Sequence, residues 1–156
     1  MQLRKSLFAG SWYENDKTKL SRLLKKHFDR AEAEQSKFCG NVKAIISPHA
    51  GYDYSGEIAA CAYQAINPQK IKTVFVLGPS HQIYTNKCLL TTFDRFYTPF
   101  GDIEIDKNIV KDLLQQPGFS KHEPYDDEKE HSIDLCCPML KYRMAEFFFT
   151  QIAKID

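Results

Sequence analysis

The stretch Thr73-Val74-Phe75-Val76-Leu77-Gly78-Pro79-Ser80-His81, TVFVLGPSH, decides the fold class. Its first five residues carry no charge and are rich in β-branched and aromatic side chains. They predict a strand over 73–77 covered on both faces, as parallel strands are. Gly78-Pro79 ends the strand and delivers His81 into a loop. Upstream, 42–47 (VKAIIS) is another short β-rich run, and it too stops at a proline and a histidine, Pro48-His49. Between the two, 56–66 predicts a helix capped by Ser55 and ended by Asn67-Pro68. Its small residues Ala59, Ala60, Ala62 and Ala65 would let it lie close against a sheet. Strand, helix and strand at this spacing form a βαβ unit with parallel neighbours and a right-handed crossover. The expected fold is α/β, a mostly parallel sheet with flanking helices, in a single domain over 1–156.

The remaining elements follow from caps and breakers. Asp16 caps a helix that buries Leu20, Leu23, Leu24, Phe28 and Ala31 on one face. Residues 37–40 read as a loop. Short strands are expected at 88–92 and 103–105, and Asp106 caps a helix through Gln115 that Pro117-Gly118 stops. An acidic loop is expected over 122–130, a helix broken at Pro138 over 131–144, and a strand over 147–152. We find no internal repeat and no low-complexity segment.

Composition narrows the function. The formal net charge is +1, from 21 Lys and Arg against 20 Asp and Glu. That balance argues against a nucleic-acid partner, which needs a concentrated basic face. The basic residues between Lys17 and Arg30 read as a solvated helix face. No apolar run approaches the roughly 18 residues that span a bilayer, so no membrane insertion is expected. Without a signal-peptide core, and with an odd number of cysteines, five, the protein reads as cytosolic with reduced thiols.

Both predicted strands deliver a histidine at their carboxyl ends, where open α/β sheets bind ligands. Adjacent strands lie about 5 Å apart, so His49 and His81 could meet at one point. Two neutral imidazoles in a cleft begin a transition-metal site: a carboxylate as third ligand would suit iron(II), a thiolate copper(I) or zinc. The alternative is two hydrogen-bonding loop residues, with Pro48, Pro79, Gly51 and Gly56 serving only the turns. Tyr52 and Tyr54 either wall the pocket or pack ordinarily, and Trp12 either lines the same cleft or joins the core. His131 follows the acidic run Asp126-Asp127-Glu128-Lys129-Glu130. A carboxylate neighbour can orient an imidazole and raise its pKa, which suits a general acid or base. The other reading of His131 is a charged, solvated loop with a capping residue. His27 and His122 read as surface residues. Cys136-Cys137 lacks the spacing of a structural zinc site and reads as buried, as do Cys61 and Cys88.

AGSWY at 9–13, PHAGYDYSG at 48–56, LGPSH at 77–81, YTPFGDIEID at 97–106 and EHSID at 130–134 stand in the order and spacing of the Memo family. The sequence resembles that family, mediators of cell motility, over about 9–138. The resemblance implies the α/β fold of class III extradiol dioxygenases. It also implies a pocket metal, copper or iron, with a redox role. His49 and His81 would be the metal ligands, and His131 would lie in the same pocket. Animal members act in the cytosol and nucleus and link receptor tyrosine kinase signalling to microtubules and migration.

This sequence departs from the family pattern at Cys136 and Cys137, where a further histidine and then a leucine are usual before the proline. Family members are also longer, and their second half supplies the remaining metal ligand, a cysteine in animal members. The expectation is therefore a partial domain without its third metal ligand. Three functions follow from these observations: a metal-binding redox protein, a non-catalytic module whose pocket engages a partner, or a truncated product without function. Extradiol ring cleavage ranks below all three, since a fold does not establish a chemistry.

Overall fold

A computed structural model of the protein describes residues 1–34, 42–145 and 148–153. The expected loop at 37–40, with Cys39, lies outside the described residues. The architecture is α/β with a mostly parallel sheet. The strands are β1 (Leu3–Arg4), β2 (Thr73–Gly78), β3 (Cys88–Leu90), β4 (Arg95–Phe96), β5 (Ile103–Ile105), β6 (Phe119–Lys121) and β7 (Phe148–Ala153). β7 is the hub. It runs parallel to the whole of β2 on one side, and it meets β5 in parallel and β3 in antiparallel pairing. β4 pairs antiparallel with β5, and the outer pairs β1–β4 and β3–β6 are parallel. Phe149 of β7 is fully buried, its ring tilted against that of Phe96 of β4 with centroids 5.1 Å apart.

Helix α1 (Lys17–Glu34) starts where the cap predicts, with the Lys19 N–H donating to Asp16 Oδ1 at 2.8 Å. Its stripe of Leu20, Leu24, Phe28 and Ala31 is buried. Helix α2 (Tyr52–Gln64) begins earlier than expected, after Gly51 rather than after Ser55. Ser55 Oγ instead donates back to the Ala50 carbonyl (2.9 Å). Tyr52 fixes the earlier start: its ring stacks on Tyr13 and its hydroxyl donates to the Leu135 carbonyl at 2.7 Å. α2 packs mainly against α1 and α6 (Cys137–Met144) rather than against the sheet. A Cβ on Gly56 would lie 3.0 Å from His27 Nε2, so the missing side chain makes room for that ring. His27 is therefore buried between helices rather than on the surface, and burial lowers its pKa.

Two further expectations are corrected. Residues 42–47 form no strand, so the βαβ unit with adjacent parallel strands does not occur. β2 finds its parallel neighbour in β7 instead. A cavity of about 550 Å³ separates the other edge of β2 from 42–47, with Tyr63, Cys136, Leu140 and Met144 lining it. β-propensity there lacks a partner edge close enough to bond, and tertiary placement overrides it. The acidic stretch is likewise not a loop. It forms helix α4 (Pro124–Lys129), with Pro124 in the first turn and Asp126 and Asp127 beside the positive end of the helix dipole. His122 just before it is buried, its N–H bonded to the Leu90 carbonyl (2.8 Å).

Helix α3 (Lys107–Leu113) carries the predicted Asp106 cap, whose carboxylate accepts from the Asn108 and Ile109 N–H groups. Residues 131–144 divide into α5 (His131–Asp134) and α6, with Pro138 in the first turn of α6. Leu135 and Cys136 keep helical backbone angles, and the break follows from Pro138 having no N–H to donate to the Asp134 carbonyl.

Candidate functional site

Three loops bring three imidazoles together. His49 follows the unpaired segment 42–47, His81 follows β2, and His131 opens α5. One ring nitrogen from each lies within 4.8 Å of the others. Ring centroids stand 5.5 Å apart for His49–His81, 5.5 Å for His49–His131 and 4.1 Å for His81–His131. Among the described residues this is the group of histidine, cysteine and carboxylate donors able to surround one cation.

The join between His81 and His131 is built from two sequence motifs. Ser132 Oγ donates to the Pro79 carbonyl at 2.9 Å. The Glu130 carboxylate, fully buried, takes the His81 N–H on Oε2 (2.6 Å) and the Ser132 N–H on Oε1 (2.9 Å). His81 Nδ1 lies 2.8 Å from the same Oε1. Gly78 permits this approach, because a Cβ there would collide with Ser132 Oγ and lie 2.9 Å from Ile133 Cδ1. LGPSH and EHS are thus two halves of one joint.

A buried cation braces that joint from beneath. Arg4 Nε donates to Asp127 Oδ1 (2.9 Å) and Nη1 to Asp134 Oδ2 (2.7 Å). Nη2 reaches the Glu130 carbonyl at 2.9 Å and also the Asp127 carbonyl. Burial works against the guanidinium charge, yet Asp134 and Asp127 outweigh it and raise the pKa. Asp134 Oδ1 in turn accepts from Ser6 Oγ (2.8 Å) and the Tyr13 hydroxyl (2.9 Å).

Electrostatics suit a neutral donor set. Burial lowers the pKa of His49, helped by His81 and opposed by Glu130. Burial and His81 lower that of His131 in the same way, against Glu130. This corrects the expected upward shift of His131: Glu130 contacts His81, while His131 Nδ1 is 3.9 Å from Oε1. For Glu130 itself, burial pushes the pKa up. Hydrogen bonds from His81 and Ser132 overcome that and hold it below the ordinary carboxylate value.

Of the three aromatics expected at the pocket, Trp12 reaches the cluster, its ring 5.0 Å from that of His131. Phe8, which the sequence did not single out, stands 5.9 Å from His131 and edge-on to Trp12. Tyr52 is buried on Tyr13, and Tyr54 points to solvent at 90% exposure. Cys136 and Cys137 donate to helix carbonyls of Ser132 and Ile133. Burial raises both thiol pKa values, which keeps them protonated and inert. The departure from the family motif thus puts no thiol among the imidazoles. Glu130 and Arg4 are the contributors that sequence reasoning missed. Glu130 sat inside a recognised motif, while nothing local marked Arg4.

An α/β protein with converging imidazoles at loop ends is the class these observations define. The chain matches the Memo-like protein family over residues 4–153. It is 37% identical over 147 residues to the protein memo-1 homolog of Caenorhabditis elegans, covering 94% of this chain and 41% of that protein. Against protein MEMO1 of Xenopus tropicalis it is 38% identical over 135 residues, covering 86% and 44%. Against protein MEMO1 of Mus musculus it is 35% identical over 135 residues, again covering 86% and 44%. The chain belongs to the Memo family. It spans less than half the length of these relatives. No helix among the described residues is long and apolar enough to cross a membrane.

Proposed function

We propose that this chain is a metal-binding redox and signalling protein of the Memo type, with His49, His81 and His131 as the donors for a copper or iron ion. The observation that carries the reading is the approach of the three ring nitrogens to within 4.8 Å. Tetrahedral coordination with bonds of about 2.0–2.1 Å has an edge of roughly 3.3 Å, so binding would draw the rings inward. Imidazole donors suit copper, iron and zinc alike. When bound, copper or iron would supply one-electron redox chemistry.

The chain's own residues hold and shield that position. His49 and His131 offer lone pairs because burial keeps them neutral. Trp12 and Phe8 cover the His131 side and limit water there. His131 takes the place of the third ligand expected from elsewhere. With its lone pair so used, it is not free to act as the general acid or base the sequence suggested. The fold kinship with class III extradiol dioxygenases belongs to this reading, and ring cleavage does not. We place the protein, by family, in the cytoplasm and nucleus, serving motility and microtubule organisation downstream of receptor tyrosine kinases.

Titration of the purified chain with copper(I) or iron(II) tests the donor set. His49→Ala, His81→Ala and His131→Ala should each weaken binding at least tenfold, and affinity unchanged in all three rejects it. A second reading, a partner-binding module, draws on Tyr54 and Ile58, which are 90% and 64% exposed one turn apart on α2. Partner capture that survives chelation would favour that reading.

A further inference from the structure

We infer that Glu130 is the positioning residue of the imidazole cluster: its carboxylate fixes His81 as the Nδ1–H tautomer, leaving Nε2 as the atom offered to a cation. This rests on the metal reading above for its purpose but not for its geometry. An ionised carboxylate has only acceptor sites. Oε1 lies 2.8 Å from His81 Nδ1, so that nitrogen must carry the proton and the lone pair falls on Nε2. Neutral imidazole in water prefers the opposite tautomer, so the carboxylate imposes a form the ring would not choose. The His81 backbone N–H on Oε2, at 2.6 Å, fixes where the ring starts. The Ser132 N–H on Oε1, at 2.9 Å, ties the same carboxylate to the turn carrying His131. One buried group therefore sets the tautomer of one donor and its distance from another. Such carboxylate–histidine pairs orient metal ligands generally and raise their basicity.

A simple helix cap would explain the Ser132 bond without any bearing on His81. Aspartate caps helices well but is one methylene shorter, so Glu130→Asp keeps the cap and withdraws from the ring. Ser132→Ala removes the Oγ bond to Pro79 and leaves the carboxylate in place, which controls for looseness of the joint.

The metal-free, 15N-labelled chain is examined by two-bond 1H–15N correlation at about pH 8, above the ordinary imidazole range near 6.5. The inference expects His81 as Nδ1–H in the wild type and in Ser132→Ala, and a shift to Nε2–H in Glu130→Asp. Zinc(II), a redox-inert probe, is then titrated into the same three proteins. Glu130→Asp should bind about 10- to 100-fold more weakly than wild type, and more weakly than Ser132→Ala, which loosens the joint but keeps the carboxylate. Nε2–H in the wild type overturns the inference, as does a Glu130→Asp protein that keeps both tautomer and affinity. A wild type that binds no zinc and no copper(I) or iron(II) removes the metal reading, and the tautomer then decides the role of Glu130 by itself.

Discussion

The two sides of the imidazole cluster are held in opposite ways. His81 and His131 sit on a joint closed by Glu130, Ser132 and Gly78 and braced by Arg4. His49 follows a segment, 42–47, that belongs to no strand and borders a cavity of about 550 Å³. Under the proposed metal reading the first pair would be set before a ligand arrives, whereas His49 would have to be drawn in. A site with one rigid and one yielding side binds by closing the yielding side, and its affinity is reduced by whatever that closure costs.

Removing Arg4 should break the rigid side hardest. Arg4→Met would leave Asp127, Asp134 and two carbonyls without their buried cation. It is expected to destabilise the fold by about 3–5 kcal/mol in urea unfolding. A loss below about 1 kcal/mol would mean that the brace is not what holds the joint.

A matched pair of glycine substitutions sharpens the contrast. Gly78→Ala drives a methyl group into Ser132 and Ile133, and should cost about 1–3 kcal/mol. Gly51→Ala, on the His49 side, meets its nearest atom, the Trp12 carbonyl oxygen, at 3.4 Å. It should stay within about 0.5 kcal/mol of wild type. Equal melting-curve shifts for the two would erase the distinction.

The smallest effect is expected at Ile46, which is 97% exposed. Ile46→Ser should change stability by no more than about 0.5 kcal/mol. Amide exchange should agree, with little protection over 43–46 and strong protection at the alternate amides of 74–77 that bond to β7. Slow exchange at 43–46 would mean that this segment does pair with β2 after all.

These regions also divide what was legible in the sequence. β2 as a strand, the Asp16 and Asp106 caps and the strand at β7 were predicted because turn chemistry and short apolar runs act locally, whereas the expected cover of β2 on both faces fails, with Phe75 and Leu77 exposed. Residues 42–47 carry as strong a β pattern as any, yet they form no ladder. A strand needs a partner edge, and the edge of β2 expected to receive them faces a cavity, while β7 takes its other edge. The acidic run looked solvated because its counter-charge, Arg4, lies over a hundred positions away. The convergence of His49 and His81 was foreseen from paired strands, and it occurs without them.

Taken alone, the sequence determined the family, the α/β class, the helix starts capped by Asp16 and Asp106, and the convergence of His49 and His81. Tertiary structure alone decided how close His131 stands to them, that Glu130 serves His81 rather than its neighbour in sequence, and that the two cysteines stay out. The physical reason is range. Capping and turn preferences are settled within a few residues, whereas a carboxylate's partner, a strand's edge and a ring's distance depend on which distant segments pack together.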